Sequence, residues 1–140
     1  MNYIFSAIFL YFFLGFLLYI FQRRIVFNKS GHPGAPKDYN LENTEEVYIK
    51  TEDNLELLSW YHKGDNSLPL LVYFHGNSFH IGDRAYRIQR YIKKNWSVLL
   101  VSWRGFGGNK GNPTEKNLYK DAEAVLKWIK NNTEFKFKEL

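Results

Sequence analysis

The chain has 140 residues, a formal net charge of +5 and no cysteine. Without cysteine it has no disulfide bond, no thiolate nucleophile and no cysteine-ligated zinc site. Its charges are mixed in sign over most of the chain and form no basic stripe, which argues against nucleic acid as a partner. None of the histidines has the spacing to acidic residues of a motif such as H-E-x-x-H, so we expect no metal site and no cofactor.

An uncharged and almost wholly apolar segment occupies residues 3–21. At about 1.5 Å rise per residue, a helix of this length spans roughly 28 Å, close to the hydrocarbon thickness of a bilayer. The alternative is a secretory signal peptide, which would carry Lys or Arg before the apolar segment and small residues at a cleavage site. Neither feature is present, so we predict an uncleaved transmembrane anchor over residues 1–22.

A basic segment follows the anchor, and we predict that residues 23–44 are a juxtamembrane linker. Residues 30–40 should lack regular structure, because two prolines and two glycines cluster there. By the positive-inside rule, its charges predict a single-pass membrane protein whose C-terminal domain is cytoplasmic. They also suit contact with anionic lipid head groups, worth about 1 kcal/mol per basic residue near the surface. The basic residues that precede the first acidic residue are Arg23, Arg24, Lys29 and Lys37.

The remaining residues, 45–140, carry the pattern of an α/β domain that begins with a β-hairpin. Residues 45–51 alternate between apolar and polar side chains, and a second strand over residues 55–63 follows a tight turn. Residues 70–74, with the sequence LLVYF, show no alternation, which is typical of a strand covered on both faces inside a parallel sheet.

Helical periodicity begins after this strand. Apolar residues recur at steps of three and four, which predicts an amphipathic helix over residues 84–94. Residues 97–101 form a second apolar strand, so the three elements make a βαβ unit with a right-handed crossover. A further amphipathic helix follows Thr114, a suitable N-cap residue. The predicted fold class is therefore α/β: a β-hairpin, then βαβα, preceded by one transmembrane helix.

Two loops follow the apolar strands, at the edge where open α/β sheets place their ligands. In the first, residues 75–78 (HGNS), main-chain N–H groups beyond the turn can stabilise an oxyanion. The alternative is a strand-end turn in which His75 only hydrogen-bonds neighbouring loops. The second loop, residues 104–113, is rich in glycine, but its spacing fits neither G-x-G-x-x-G nor G-x-x-x-x-G-K-[ST]. We expect a tight loop that needs positive φ angles there, not a phosphate cradle.

Several linked motifs between residues 45 and 129 resemble the α/β-hydrolase superfamily, and most closely its membrane-anchored branch. They are FHGN at residues 74–77, VSWRGFG at 101–107, GNPTE at 111–115 and DA at 121–122. The sequence departs from the family pattern at Ser102, Trp103, Asn109 and Asn117, where the family has Asp, Tyr, Ser and Gly. These departures lie on supporting loops. The resemblance implies the N-terminal half of an α/β-hydrolase sheet.

The resemblance also implies roles for individual residues. The main-chain amides of Asn77 and Ser78 would form the oxyanion hole, in a loop whose geometry depends on His75 and Gly76. The second loop would be structural, and the residues that brace it are Arg104, Gly105 and Gly107.

One family motif is absent: no G-x-S-x-G nucleophile elbow occurs in the 140 residues. By resemblance, the Ser, acid and His triad would lie beyond Leu140, so these residues leave open whether the chain is an enzyme. We expect the N-terminal part of a membrane-anchored serine hydrolase acting on ester, thioester or amide bonds, with the bilayer and a small-molecule or acylated substrate as partners. The alternative is a non-catalytic membrane-tethered scaffold or a remnant of a hydrolase.

Overall fold

The computed structural model describes residues 2–29 and 31–135. In this part of the chain the helices are α1 (Asn2–Val26), α2 (Ala85–Ile92) and α3 (Glu115–Asn132), with 3-10 turns at Pro36–Tyr39 and Ile81–Arg84. The strands are β1 (Asn28–Lys29), β2 (Thr44–Lys50), β3 (Glu56–His62), β4 (Leu70–Phe74), β5 (Ser78–Phe79) and β6 (Ser97–Val101).

Helix α1 is long and apolar enough to cross a bilayer, with a mean hydropathy of 2.4 over its most apolar stretch and none of that stretch buried against the rest of the protein. The helix continues past Gln22 to Val26, four residues beyond the predicted anchor. Arg23 and Arg24 therefore lie in its last turn, where positive charge interacts favourably with the carboxyl end of the helix dipole.

The main sheet has the strand order β2-β3-β6-β4. Strand β3 pairs antiparallel with both β2 and β6, whereas β4 pairs parallel with β6 in the register Leu70↔Ser97 to Phe74↔Val101. The predicted hairpin and βαβ unit are therefore confirmed. Strand β6 is fully buried between two neighbours, whereas β4 is half-buried and forms one edge of the sheet in the described part of the chain.

Helices cover the two faces of the sheet, which explains why β6 shows no polar alternation. Its residues Val98 and Leu100 pack in the apolar cluster that contains Ile88 of α2. Leu99 and Val101 pack on the opposite face, in the cluster that contains Val125 and Ile129 of α3. A central strand between two helical layers is apolar on both faces, and the buried Ser97 at its start accepts a hydrogen bond from the Gly64 N–H at 3.0 Å.

The prediction that residues 30–40 lack regular structure is wrong at one place, the 3-10 turn Pro36–Tyr39. Pro36 begins a 3-10 turn because its ring sets φ near the helical value, and Asp38 Oδ2 accepts a hydrogen bond from the Ala35 N–H at 2.9 Å. Before this turn, β1 pairs in parallel with β5. The linker is thus fastened to the domain by main-chain hydrogen bonds that its composition does not indicate.

Candidate functional site

The first candidate loop, residues 75–78, leaves the carboxyl end of β4 beside the carboxyl end of β6. His75 is buried, with 3% of its surface exposed, whereas Gly76 and Asn77 are exposed. Ser78 begins β5 and is half-buried. The structure therefore brings the four predicted residues together as one turn that has a buried imidazole at its base and exposed peptide groups at its tip.

Hydrogen bonds on both ring nitrogens determine the tautomer of His75. Nδ1 lies 2.7 Å from the carbonyl oxygen of Gly76, so it must carry the proton and donate it. Nε2 accepts a hydrogen bond from the main-chain N–H of Trp103 at 3.3 Å. Burial lowers the pKa of His75 to about 4, although its hydrogen bond to Gly76 opposes this shift. The side chain is therefore neutral near pH 7 and acts as a link between the two loops.

Trp103 supports the same turn from the side of β6. Its indole Nε1 donates to the carbonyl oxygen of His75 at 2.8 Å, and its ring stacks on Phe74 with the centroids 4.5 Å apart. Aromatic pairs of this kind add about 0.5–1.5 kcal/mol beyond the area that they bury. The loop after β4 is thus held to the loop after β6 by side chains that directly follow the two strands.

The opposite side of the turn is held by the segment that follows α1. The main-chain N–H of Asn28 donates to the carbonyl oxygen of Asn77 at 3.1 Å, and Asn77 Nδ2 donates to the carbonyl oxygen of Val26 at 2.9 Å. Strand β1 then pairs with β5 in the register Asn28↔Ser78 and Lys29↔Phe79. Among the described residues, none accepts a hydrogen bond from the main-chain N–H of Asn77.

Phe79 carries backbone strain, because its φ of 65° lies in the left-handed region, which is costly for a bulky aromatic residue. Such conformations cost of order 1 kcal/mol or more and persist only where neighbouring contacts hold them. Ser78 itself has no activating base in the described chain. Its Oγ donates to Asn77 Oδ1 at 3.5 Å, and no described histidine accepts a hydrogen bond from it.

The second candidate loop is braced by Arg104, which is 1% exposed. Its Nε and Nη2 donate to Asp121 Oδ1 at 2.8 and 2.6 Å, and its Nη1 donates to Asp53 Oδ2 at 2.7 Å. Burial alone would lower the pKa of Arg104, but the hydrogen bonds to both carboxylates outweigh it and raise the pKa above its usual value. The hydrogen bond from Arg104 holds the pKa of Asp53 well below its ordinary range.

Glycines are required around this arginine. Gly105 and Gly107 have φ values of 77° and 57°, and a Cβ on Gly107 would lie 2.8 Å from Ser102 Oγ. The predicted need for positive φ angles is thus confirmed. Asn109 links this loop to β3, because its Oδ1 accepts from the main-chain N–H of Leu58 at 2.9 Å.

Sequence reasoning missed Asn28, Val26 and Asp53 as partners of the two loops. Each lies about fifty residues from the residue that it contacts, and the contacts of Asn28 and Val26 use main-chain atoms. No residue type signals such contacts. Asn109 stands where the family has serine, a difference that the sequence shows. Its side chain accepts a hydrogen bond from the Leu58 N–H and donates one to the carbonyl oxygen of Ser102.

A basic surface pocket of about 510 Å³ lies at the end of α1, beside the candidate loops. Its cationic residues are Arg23, Arg24 and Lys29, and the opposite wall is formed by Asn112 and Pro113. No carboxylate lines this pocket among the described residues. No group of three or more His, Asp or Glu side chains suited to a metal ion occurs in residues 2–29 and 31–135.

Several curated proteins are similar to this chain in sequence. Protein bem46 of Schizosaccharomyces pombe is 32% identical over 127 residues, which cover 83% of this chain and 42% of that protein. The α/β hydrolase domain-containing protein WAV2 of Arabidopsis thaliana is 27% identical, with 84% of this chain and 41% of that protein covered. The lysophosphatidylserine lipase ABHD12 of Danio rerio is 26% identical, with 68% and 30% covered. No model of a known protein family matches the chain.

Among solved structures, the esterase Pf2001 of Pyrococcus furiosus superposes with a TM-score of 0.59 and 26% identity, covering 76% of this chain and 42% of the esterase. The chain spans less than half the length of each of these relatives. An α/β hydrolase from Vibrio vulnificus superposes with a TM-score of 0.55 and 29% identity, covering 66% of this chain and 32% of that protein.

The chain belongs to the α/β-hydrolase superfamily. Its apolar helix α1 supports association with a membrane and fits the membrane-anchored branch of the superfamily.

Proposed function

We propose that the chain is the N-terminal part of a membrane-anchored serine hydrolase that cleaves an ester, thioester or amide bond in an acylated substrate. Relatives named as a lipase and an esterase support this reaction class. The observation that carries the proposal is the turn of residues 75–78. Its peptide groups are exposed at the carboxyl end of β4, and the main-chain N–H of Asn77 has no acceptor among the described residues.

In the proposed reaction, a serine on polypeptide that follows these 140 residues gives its proton to a histidine base and attacks the carbonyl carbon of the substrate. The tetrahedral intermediate then breaks the bond to the alcohol, thiol or amine, which leaves with the proton from that base. The main-chain amides of Asn77 and Ser78 donate hydrogen bonds to the oxyanion that forms. Each such donor is worth roughly 3 kcal/mol in transition-state stabilisation. His75 and Gly76 determine the geometry of the turn, and Arg104 braces the neighbouring glycine-rich loop through Asp121 and Asp53.

We also propose that α1 spans the membrane once and leaves the domain on the cytoplasmic side. Arg23, Arg24, Lys29 and Lys37 support this orientation through the positive-inside rule. The basic pocket at the end of α1 presents three of these cations to the head-group layer, where they attract anionic lipids.

A second function is suggested by Ser78, the serine of the candidate turn, which has no base beside it in the described part of the chain. In this alternative, the chain is a non-catalytic membrane-tethered scaffold that retains half of the hydrolase sheet. The two functions differ in whether the complete protein contains a nucleophilic serine.

The test is to extend the open reading frame to the length of the relatives and to label the product with a fluorophosphonate, which reacts with activated serines. We expect labelling that is lost when the elbow serine is replaced by alanine. Ser78→Pro removes one main-chain donor and should slow labelling at least 100-fold. The matched control Ser78→Ala keeps the N–H and should label normally. An open reading frame that stops after Leu140, or an extended protein that fluorophosphonate does not label, would favour the scaffold function.

A further inference from the structure

The strand that leaves the membrane helix is part of the candidate oxyanion loop. We propose that Asn28 is a positioning residue, which orients the Ser78 amide by binding the carbonyl group of the same peptide unit. The membrane anchor would then be continuous with the catalytic apparatus and not merely attached to it. The catalytic consequence rests on the proposed hydrolase function, whereas the structural coupling does not.

Peptide geometry provides the first argument. All peptide bonds in the described residues are trans, so the N–H of each planar unit points away from its C=O. The carbonyl of Gly76 is bound by His75 Nδ1 at 2.7 Å, which directs the N–H of Asn77 to the opposite side. The carbonyl of Asn77 is bound by the Asn28 N–H at 3.1 Å, which directs the N–H of Ser78 in the same way. Each proposed oxyanion donor is therefore oriented through the carbonyl group of its own peptide unit, which belongs to the preceding residue.

The second argument is that the contact is reciprocal. Val26 is the last residue of α1, and the final carbonyl groups of a helix have no partner within the helix. The side-chain amide of Asn77 satisfies one of them, at 2.9 Å. The loop thus caps the membrane helix, while the segment after the helix orients the loop.

Aromatic packing also links the segment after α1 to the turn of residues 75–78. Phe27, between α1 and β1, meets the buried ring of Phe106 edge to face, with the centroids 6.2 Å apart. Phe106 in turn meets the ring of His75 at 5.0 Å. The last residue of α1 and the two that follow it are therefore all linked to the loop. Val26 accepts a hydrogen bond from the Asn77 side chain, Asn28 donates its main-chain N–H, and Phe27 is connected to His75 by way of the Phe106 ring.

The third argument is that the turn is strained and open, so its own contacts do not determine its conformation. Phe79 has a left-handed φ of 65°, and Gly76 has no atom within 4 Å of the position that its Cβ would occupy. A strained and open turn keeps one conformation only where outside partners determine it. On the side away from His75 and Trp103, the described partners of this turn are Asn28 and Val26.

Hydrogen exchange on the 140-residue chain in lipid nanodiscs tests the coupling without any assay of activity. Asn28→Pro removes the donor N–H, and Asn28→Ala, at an exposed side chain, keeps it. We expect amides in residues 76–80 to exchange about tenfold faster in the proline variant and at the normal rate in the alanine variant. Amides of β6 should be unchanged in both, which shows that the domain remains folded.

A second variant covers the case in which the proline disturbs the sheet. Asn77→Ala keeps the main-chain N–H but removes the hydrogen bond to Val26, together with the long contact from Ser78 Oγ at 3.5 Å, and should also accelerate exchange in residues 76–80. Unchanged exchange of these amides in Asn28→Pro, or in Asn77→Ala if the proline variant unfolds, would overturn the proposal.

Kinetics then separate positioning from general destabilisation. In the protein extended to the length of its relatives, Asn28→Pro should lower kcat for ester hydrolysis about 10- to 100-fold and leave KM within about twofold, because only the transition state contains the oxyanion. Asn28→Ala should restore normal kcat. An extended wild-type protein without activity would refute the proposed function, while the exchange result would still decide the coupling. An equal loss of kcat in both Asn28 variants would overturn the positioning role.

Discussion

Arg104 donates from two of its nitrogen atoms to a single carboxylate oxygen of Asp121, at 2.8 and 2.6 Å, and both side chains are almost fully buried. The pair joins the loop after β6 to helix α3. A third nitrogen reaches Asp53 at the β2–β3 turn, so one guanidinium connects three separate parts of the domain.

The first prediction is that Asp121→Asn destabilises the domain by about 3–5 kcal/mol, because breaking a buried ion pair leaves the remaining charge without its partner. Chemical unfolding in detergent micelles, followed by tryptophan fluorescence, measures the change. The exposed pair of Lys120 and Glu52, at 2.6 Å, provides the control, and Glu52→Gln should have little effect. Equal effects of the two substitutions would contradict a bracing role for Arg104.

The second prediction concerns pH. The pKa of His75 is about 4 in the folded protein, against 6.5 for an ordinary histidine. Because the pKa of His75 is lower in the folded protein, its contribution to the free energy of unfolding is fully present above pH 6.5. This contribution is lost as the pH falls towards 4. At 1.36 kcal/mol per pKa unit, the loss is about 3 kcal/mol.

The measurement for this prediction is the free energy of unfolding from pH 7.5 to pH 4, compared between the wild type and His75→Gln. The variant should lack this part of the pH dependence. His62, whose pKa burial also lowers, is present in both proteins, and its contribution therefore cancels. Parallel curves for the two proteins would show that His75 is not buried as a neutral side chain.

The third prediction is that the 140-residue chain associates with itself through β4. In the described part of the chain, β4 has a neighbour on only one side, and an unpaired strand edge is a template for pairing with a second chain. Light scattering after size exclusion in micelles should show dimers or larger species that increase with concentration. Extension to the length of the relatives should restore a monomer. A 140-residue chain that stays monomeric at high concentration would contradict this prediction.

The fourth prediction concerns orientation. A phosphatase reporter that is active only outside the cytoplasm, fused after Leu140, should be inactive, and a cytoplasmic reporter at the same site should be active. Replacement of Arg23, Arg24, Lys29 and Lys37 by glutamine should produce a mixed population, because these residues carry the positive-inside signal. Strong activity of the exported reporter in the wild type would reverse the proposed topology.

Local patterns were sufficient to predict most of the secondary structure. The uninterrupted apolar segment of α1, the apolar strands β4 and β6 and the helical spacing after residue 80 each reflect which face of an element must be buried. Such information lies within a few consecutive residues, so it survives in the sequence. The linked motifs at residues 74–77 and 101–115 likewise indicated the superfamily before any contact was known.

The supports of the candidate site were decided only by the tertiary structure. Strand β1 consists of Asn28 and Lys29, two polar residues with little preference for a strand, and it forms because β5 lies beside it. Its hydrogen bond to Asn77 joins main-chain atoms, which every residue except proline possesses. Arg104 could be recognised as a bracing residue, but its partner Asp53 lies 51 residues away. Residue types encode burial and local conformation, whereas main-chain pairing between distant segments depends on where the folded sheet places them.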